Sequence, residues 1–522
     1  MQLTKLPILL LFLALGSTAS AQERYLDPVF SQVNVSNLTP YGFNYTFLPL
    51  LFGGHFTKQP LVMQVYTPAG DTKTDRPLII YLHTGNFFPF PGNGSCGGAL
   101  NDSSNVEFAT RLAKMGYVVA VADYRLGWNP FSTSELTRRF TLINGAYRGV
   151  QDVRSCIRHF RKNVAVDGND YGIDPNKIVV WGQGTGGYLS LATAYLDKFS
   201  EIYTTADPNK FKIPLPNGAF YPMIQELYNG DINGEQTAVG VVDATYNQIF
   251  SSFSLGDTMY IPNTPGYSSS FNLAVNTGGA LGDSSWMDPG NIPLISYHVL
   301  SDFFAPCETD ILNVPTMSGP QPVVEVSGSC DMQKIANDLG LNDIFNTIPA
   351  GHDPYGANSI SNYNGFYPFV GTPTPPGATT ESSGPWAWTS YVGTPAPTAT
   401  GCEVDGAVAR LYIDTIVGYF APRACVALGL GCNFVSTKEL SDLEVGLKVS
   451  PVPAIDVVNF VSEKQKMTDI YVYDLNGRLV KAHTNIEANA FQMPRNALVA
   501  GLYIAEVRYE KGFVKRKIVF AN

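Results

Sequence analysis

The sequence predicts an α/β protein with a mostly parallel sheet and an inserted cap, followed by a small all-β sandwich domain. Three observations predict it. From about residue 61 to residue 419, near-continuous apolar runs alternate with stretches of helical period, the pattern of strands covered on both faces. A glycine-dense turn, Gly182-Gln183-Gly184-Thr185-Gly186-Gly187, joins one such run directly to a helix. From Val449 the pattern changes to short alternating runs separated by turn residues.

The elements follow in order. Leu61–Tyr66 and Pro77–Leu82 read as strands, Asn105–Met115 as a helix and Tyr117–Ala122 as a buried strand. A longer helix spans about Ile143–Asn163, with Val150, Val153, Cys156, Ile157 and Phe160 at helical spacing. Lys177–Trp181 is the next strand and Gly187–Leu196 the helix after it. Residues about 200–290 are rich in Tyr, Phe, Asn, Gly and Pro without a clear period, and read as the cap. The alternation resumes at Ile292–Leu300, Val323–Val326, the helix Asp331–Leu339 and the run Ile344–Ile348. Residues about 364–401 are a Pro/Thr/Gly/Ser-rich loop carrying Trp386 and Trp388, and the helix Val408–Tyr419 closes the body. The expected divisions are 1–21, 22–435 for the body, 436–448 as a linker and 449–522 for the β-domain.

Composition bounds the function. The 522 residues carry 34 Lys+Arg against 44 Asp+Glu, a net charge of −10, and 15% are charged where about 25% is usual. With 45% hydrophobic and 12% aromatic residues the chain is not disordered. An acidic chain without a dense basic block offers no footprint for nucleic acid. The tail is the exception: Val449–Asn522 carries a local charge of +3, which leaves residues 22–448 at −14.

Met1–Ala21 reads as a secretory signal peptide. Lys5 supplies the positive start, Leu6–Leu15 the apolar run and Ala19-Ser20-Ala21 the cleavage site. No later stretch approaches the roughly 18 apolar residues of a membrane span. Export exposes Cys96, Cys156, Cys307, Cys330, Cys402, Cys425 and Cys432 to oxidation. Their odd number leaves at least one unpaired within the chain, and Cys307–Cys330 and a pair within Cys402–Cys432 are expected. Their spacing suggests no zinc site, and no other metal or cofactor is expected.

The strand–turn–helix at Val179–Gly187 needs small residues two before and two after its centre, and Gly182 and Gly186 supply them. This turn resembles the nucleophile elbow of the carboxylesterase/lipase-like branch of the α/β-hydrolase superfamily. Tyr66-Thr67-Pro68, Asp123-Tyr124-Arg125-Leu126-Gly127, Gln151-Asp152-Val153-Arg154 and Tyr171–Ile178 are similar to the same family in order and spacing. The resemblance implies an oxyanion loop at His83-Thr84-Gly85-Asn86-Phe87, with the N–H groups of Gly85, Asn86 and Thr185 as donors. It implies Asp302 as the acid and His352 as the base. The nucleophile position holds Gly184, which has no side chain to attack a carbonyl. Thr185 is one residue late, and its expected part is its backbone N–H. Gly182-x-Gly184-x-x-Gly187 also fits a dinucleotide fingerprint, which the surrounding hydrolase landmarks and the expected export argue against.

In the tail, Ser450-Pro451-Val452-Pro453, Ile470–Arg478, Leu498–Ile504 and Lys515–Val519 resemble the C-terminal sorting domain of the type IX secretion system of Bacteroidetes. The resemblance implies that machinery as a partner, and release or attachment at the cell surface. The expected function is a secreted esterase-like protein that hydrolyses carboxylic esters through a water activated by His352 and Asp302. The alternatives are a non-catalytic binder of a small ester, lipid or glycan, and a surface adhesin.

Overall fold

The computed structural model describes residues 23–89, 98–316, 319–349, 352–353, 355–356, 363–371, 381–384, 388, 404–432, 434, 440–474, 479–483, 486–496, 498–509 and 512–521. The signal peptide, Cys96, Cys402, Trp386 and the turn residues Leu475–Arg478 lie outside them.

In chain order the body contains β1 (Val33–Val35), β2 (Thr39–Thr46), β3 (Thr57–Pro68), β4 (Arg76–Leu82), α1 (Ser103–Lys114), β5 (Val118–Ala122), α2 (Glu135–Val166), β6 (Ile173–Gln183) and α3 (Thr185–Tyr195). There follow β7 (Leu273–Thr277), β8 (Leu294–Val299), β9 (Asp310–Thr316), β10 (Gly319–Val326), α4 (Ser329–Asp338), β11 (Phe366–Phe369) and α5 (Gly406–Ala427). Nine strands make one sheet in the order β1-β3-β5-β4-β6-β7-β8-β11, with β2 also paired to β3. The pairs β1–β3, β2–β3 and β3–β5 are antiparallel, and every pair from β5 across to β11 is parallel.

Every residue of β4, β5 and β8 is buried. Successive side chains enter opposite cores: Leu78, Ile80 and Leu82 join α2 and α3, while Ile79 and Tyr81 join α1 and α5. That two-sided burial is why these strands read as continuous apolar runs. Each such aliphatic side chain contributes about 1.5–3 kcal/mol of transfer free energy.

Four elements depart from expectation. β7 is a central strand inside the span read as cap, paired with β6 and β8. Ile344–Ile348 is not a strand: Asp343–Thr347 winds as a 3₁₀ helix, with Phe345 N–H donating to the Asn342 carbonyl and Ile348 N–H to that of Phe345. The last strand is β11, hidden in the segment read as a loop. Val323–Val326 lies in the antiparallel hairpin β9–β10, outside the main sheet.

The Cys307–Cys330 disulfide closes the base of that hairpin, and Cys425–Cys432 links the end of α5 to the following turn. Cys156 is free and buried in α2. Two further sheets, of three and four strands, form the C-terminal β-domain around Val458, Ile470, Val507 and Ile518. Leu440, Val445 and Leu447 are buried in that core too, so the second half of the expected linker belongs to the β-domain. Among the described residues no helix is long and apolar enough to cross a membrane.

The Cys307–Cys330 loop has a sequence separation of 23, for which the chain-entropy relation gives about 3 kcal/mol of stabilisation. Replacing both cysteines by serine is expected to lower unfolding free energy by about that amount in urea titration.

Candidate functional site

β6 runs into α3 through a single residue, Gly184, with φ 54° and ψ −116°. Its N–H donates to the Thr277 carbonyl of β7 at 2.8 Å. A Cβ on Gly182 would lie 1.8 Å from the Gly186 carbonyl oxygen, and one on Gly186 2.3 Å from that of Leu82. No side chain fits at either position. Gly184 itself holds a conformation that an L-residue adopts only at a cost of order 1–3 kcal/mol. Gly184, at the centre of the turn, presents no side chain.

Opposite this turn, Gly85, Asn86 and Phe87 have successive φ values of 135°, 55° and 51°. The Gly127 and Trp128 N–H groups hold the strained loop by donating to the Phe87 carbonyl at 2.8 and 3.1 Å. Two of the three expected oxyanion donors are engaged internally. The Asn86 N–H donates to Thr185 Oγ1 at 2.8 Å, and the Thr185 N–H donates to Thr84 Oγ1 at 3.3 Å.

Asp302 follows β8, on the sheet edge where the elbow and the oxyanion loop also end their strands. Its Oδ2 accepts from both the N–H and the hydroxyl of Ser383 at 2.5 Å, and its Oδ1 accepts from the N–H groups of Phe304 and Ala305 at 2.8 and 3.2 Å. Burial pushes this carboxyl above its ordinary value, against the opposing pull of His298 and Ser383. His352 is elsewhere in its bonding: its ring packs 5.5 Å from that of Phe434, and its N–H donates to the Pro349 carbonyl. No hydrogen bond joins His352 to Asp302, although both residues are described. The reason is topological. His352 was expected after the last strand, but β11 comes after it in the chain. The segment that follows β11 delivers Ser383 to Asp302, and the sequence has no histidine between His352 and His483.

Sequence reasoning missed Ser383, Thr84 and the role of His83. The His83 ring sits between two accepting oxygens, with Nδ1 at 2.5 Å from the Thr84 carbonyl and Nε2 at 3.1 Å from Asp123 Oδ1. Two acceptors call for a proton on each nitrogen. Burial opposes this charge, but the hydrogen bond and the charge of Asp123 outweigh it and raise the pKa. The Asp123–Gly127 and Gln151–Arg154 motifs meet as scaffold: the Arg125 N–H and Nε bond Asp152 at 2.8 and 2.9 Å, and Arg125 Nη2 bonds Gln151 Oε1 at 3.1 Å.

Beside Asn86 and Thr185 opens an apolar cavity of about 120 Å³, lined by Phe87, Trp128, Tyr188, Trp286, Leu312 and Val324 among others. Leu312 and Val324 come from the hairpin β9–β10, so the Cys307–Cys330 disulfide fixes one wall. Apolar cavities near 150 Å³ stay dry and take benzene-sized guests. Among the described residues no group of His, Cys, Asp or Glu has the arrangement of a metal site.

Residues 63–214 match the BD-FAE family, and residues 448–521 match the secretion system C-terminal sorting domain. No curated protein matches the chain. Similar solved structures include apo esterase 2 of Thermogutta terrifontis, 16% identical over 52% of this chain and 74% of that one, TM-score 0.28. The same esterase phosphonylated by cyclosarin is 17% identical over 52% and 73%, TM-score 0.28. Brefeldin A esterase, a bacterial homologue of human hormone-sensitive lipase, is 21% identical over 31% and 35%, TM-score 0.21. The family match and the strand order, rather than those weak overlays, define the class: an esterase-like α/β-hydrolase domain followed by a type IX sorting domain. The sorting domain indicates export through the type IX machinery.

Two outcomes are expected here. His83 has a raised pKa in the fold, so its contribution to stability is fully present below its ordinary value of 6.5 and is lost as pH climbs through the raised one. Melting temperature should therefore fall across that interval, and less steeply in His83→Gln. Gly184→Ser places a side chain at φ 54° and should lower stability by about 1–3 kcal/mol. It should not create measurable hydrolysis of p-nitrophenyl butyrate, since His352 makes no hydrogen bond to Asp302 and the Asn86 and Thr185 amides are already engaged among the described residues.

Proposed function

We propose that this chain is a non-catalytic hydrolase-fold binding protein, exported by type IX secretion, that holds a small apolar ligand in the cavity beside Gly184. The observation that carries the reading is the Asp302–Ser383 pair: the carboxylate that would orient a catalytic histidine accepts two hydrogen bonds from a serine instead. The engaged amides of Asn86 and Thr185 support the same conclusion, because a developing oxyanion would have to displace both hydroxyl acceptors. Hydrolysis by a water activated through His352 and Asp302 finds no such support, since the two side chains share no hydrogen bond.

The cavity favours an aromatic ring or a short acyl chain. Its walls are mainly aliphatic and aromatic, the Asn86 N–H at its edge is already bonded, and the buried Trp128 Nε1–H is a donor without a partner among the described residues. In this reading Met1–Ala21 directs the first export step, and the β-domain directs passage across the outer membrane and is then removed. The body is left at the cell surface or in the medium.

Titrating the full chain with p-cresol and with hexanoate, followed by calorimetry, tests the proposal. One-to-one saturable binding of either probe is expected, with the ligand recovered chemically intact. Ala146→Trp, which fills the cavity from α2, should abolish binding while leaving the circular dichroism spectrum unchanged. Absence of saturation by both, or binding indifferent to Ala146→Trp, would contradict it.

A further inference from the structure

A second cavity lies at the other end of α3. Gly184 precedes this helix, and Thr193, Ala194 and Asp197 at its far end line a cleft of about 500 Å³. Eleven residues separate the two by about 16 Å of helix. Its volume falls within the roughly 300–1,000 Å³ of small-molecule pockets, but its chemistry is the reverse of the apolar cavity.

The lining is polar with one principal ring. Asp197 and Glu235 contribute exposed carboxylates, Asn233 and Asn291 contribute amides, Ser268 and Ser270 contribute hydroxyls, and Tyr267 is half-buried among them. The Asn291 amide donates to Asp197 Oδ2 at 3.3 Å and accepts from the Asp288 N–H at 2.7 Å, which holds both for an incoming group. At the floor, Thr193 is 4% exposed, and its hydroxyl has no hydrogen-bond partner among the described residues. A buried hydroxyl left unbonded costs roughly 1–3 kcal/mol, so an occupant that bonds it recovers that cost.

The walls are held in place from behind. Arg154, Arg158 and Arg161 lie on one face of α2, at a helical spacing of four and three residues. Arg154 donates to Asn233 Oδ1 at 2.7 Å and to the Thr193 carbonyl at 3.0 Å. Arg158 donates to Ser269 Oγ at 2.7 Å, and Arg161 to the Ser268 carbonyl at 2.6 Å. The cleft is therefore formed before any ligand arrives, which limits the ordering cost of binding.

The donor set selects the ligand class. Carboxylates at the rim repel phosphates, sulfates and other anions. A cation is poorly matched as well, because the Arg154 guanidinium lies behind Asp197 and the neighbouring Lys198 adds a second positive charge. Acceptors, amides and hydroxyls set around one aromatic face suit a ring that carries several adjacent hydroxyls and one apolar face.

We propose that this cleft is a carbohydrate-binding site for a single neutral pyranose unit, with Tyr267 against the sugar's apolar face and Asp197, Asn291 and Thr193 bonding its hydroxyls. The site is independent of the apolar cavity and does not rest on the reading given for it.

Saturation-transfer NMR and calorimetry on the full chain, with glucose, galactose, mannose, xylose and N-acetylglucosamine as separate probes, test the proposal. Saturable binding of at least one sugar is expected. Tyr267→Ala and Asn291→Ala should each weaken it tenfold or more at unchanged melting temperature, and Ala146→Trp should leave it intact. Failure of every sugar to saturate would overturn it. So would sugar binding that survives both cleft substitutions, or saturation by spermidine alone, which would mark the cleft as a cation site.

Discussion

The close approach of three backbones at Gly182, Gly184 and Gly186 is the constraint on which the body depends. β6 can sit beside β4 and turn at once into α3 only because no Cβ occupies the space between Gly182 and the Gly186 carbonyl, or between Gly186 and the Leu82 carbonyl. That contact aims the start of α3 at the end of β4. It therefore sets where Thr185 meets Thr84 and Asn86, and where the oxyanion loop must bend through three successive positive φ values. The sheet order brings β7 and β8 alongside, so that Gly184 is tied to Thr277 and Asp302 emerges one strand further on.

A strained turn of this kind is ordinarily retained for the reactive side chain it presents. Here glycine at the centre relieves the strain, and the surrounding polar groups have turned toward one another. Ser383 satisfies Asp302, Thr185 satisfies Asn86, and Thr84 satisfies Thr185. These bonds are mutually consistent and engage Asp302 and the Asn86 and Thr185 amides internally. The disulfide-closed hairpin keeps an apolar wall against these groups. The esterase-like fold is preserved, and the Asn86 and Thr185 amides and the Asp302 carboxylate are engaged with neighbouring residues.

The elbow was legible because its requirement is local: small residues at fixed offsets between an apolar run and a helix. The place of Asp302, three residues beyond the end of a fully buried strand, was legible for a similar reason. The assignment of His352 depended on which strand is last, and β11 has four residues, one of them Pro368, within a Pro/Thr/Gly/Ser-rich stretch. No periodicity survives in so short a segment. Ser383 was beyond reach because its bond to Asp302 spans 81 positions and arises from sheet topology rather than spacing. The motifs around Asp123 and Asp152 were recognisable in sequence. Their purpose, a buried Arg125–Asp152 pair that joins the end of β5 to α2, emerged from the fold. The linker was read too long because Leu440 and Val445 are isolated apolar residues whose core lies in strands that follow them.

The central claim is that the site has the shape of an esterase without its chemistry. Its most direct test is the rate of p-nitrophenyl acetate and butyrate hydrolysis by the full chain, measured beside His352→Ala and Asp302→Asn. The account predicts that all three proteins match the buffer rate. Turnover by the native chain that disappears in both variants would contradict it, and would return His352 and Asp302 to catalysis.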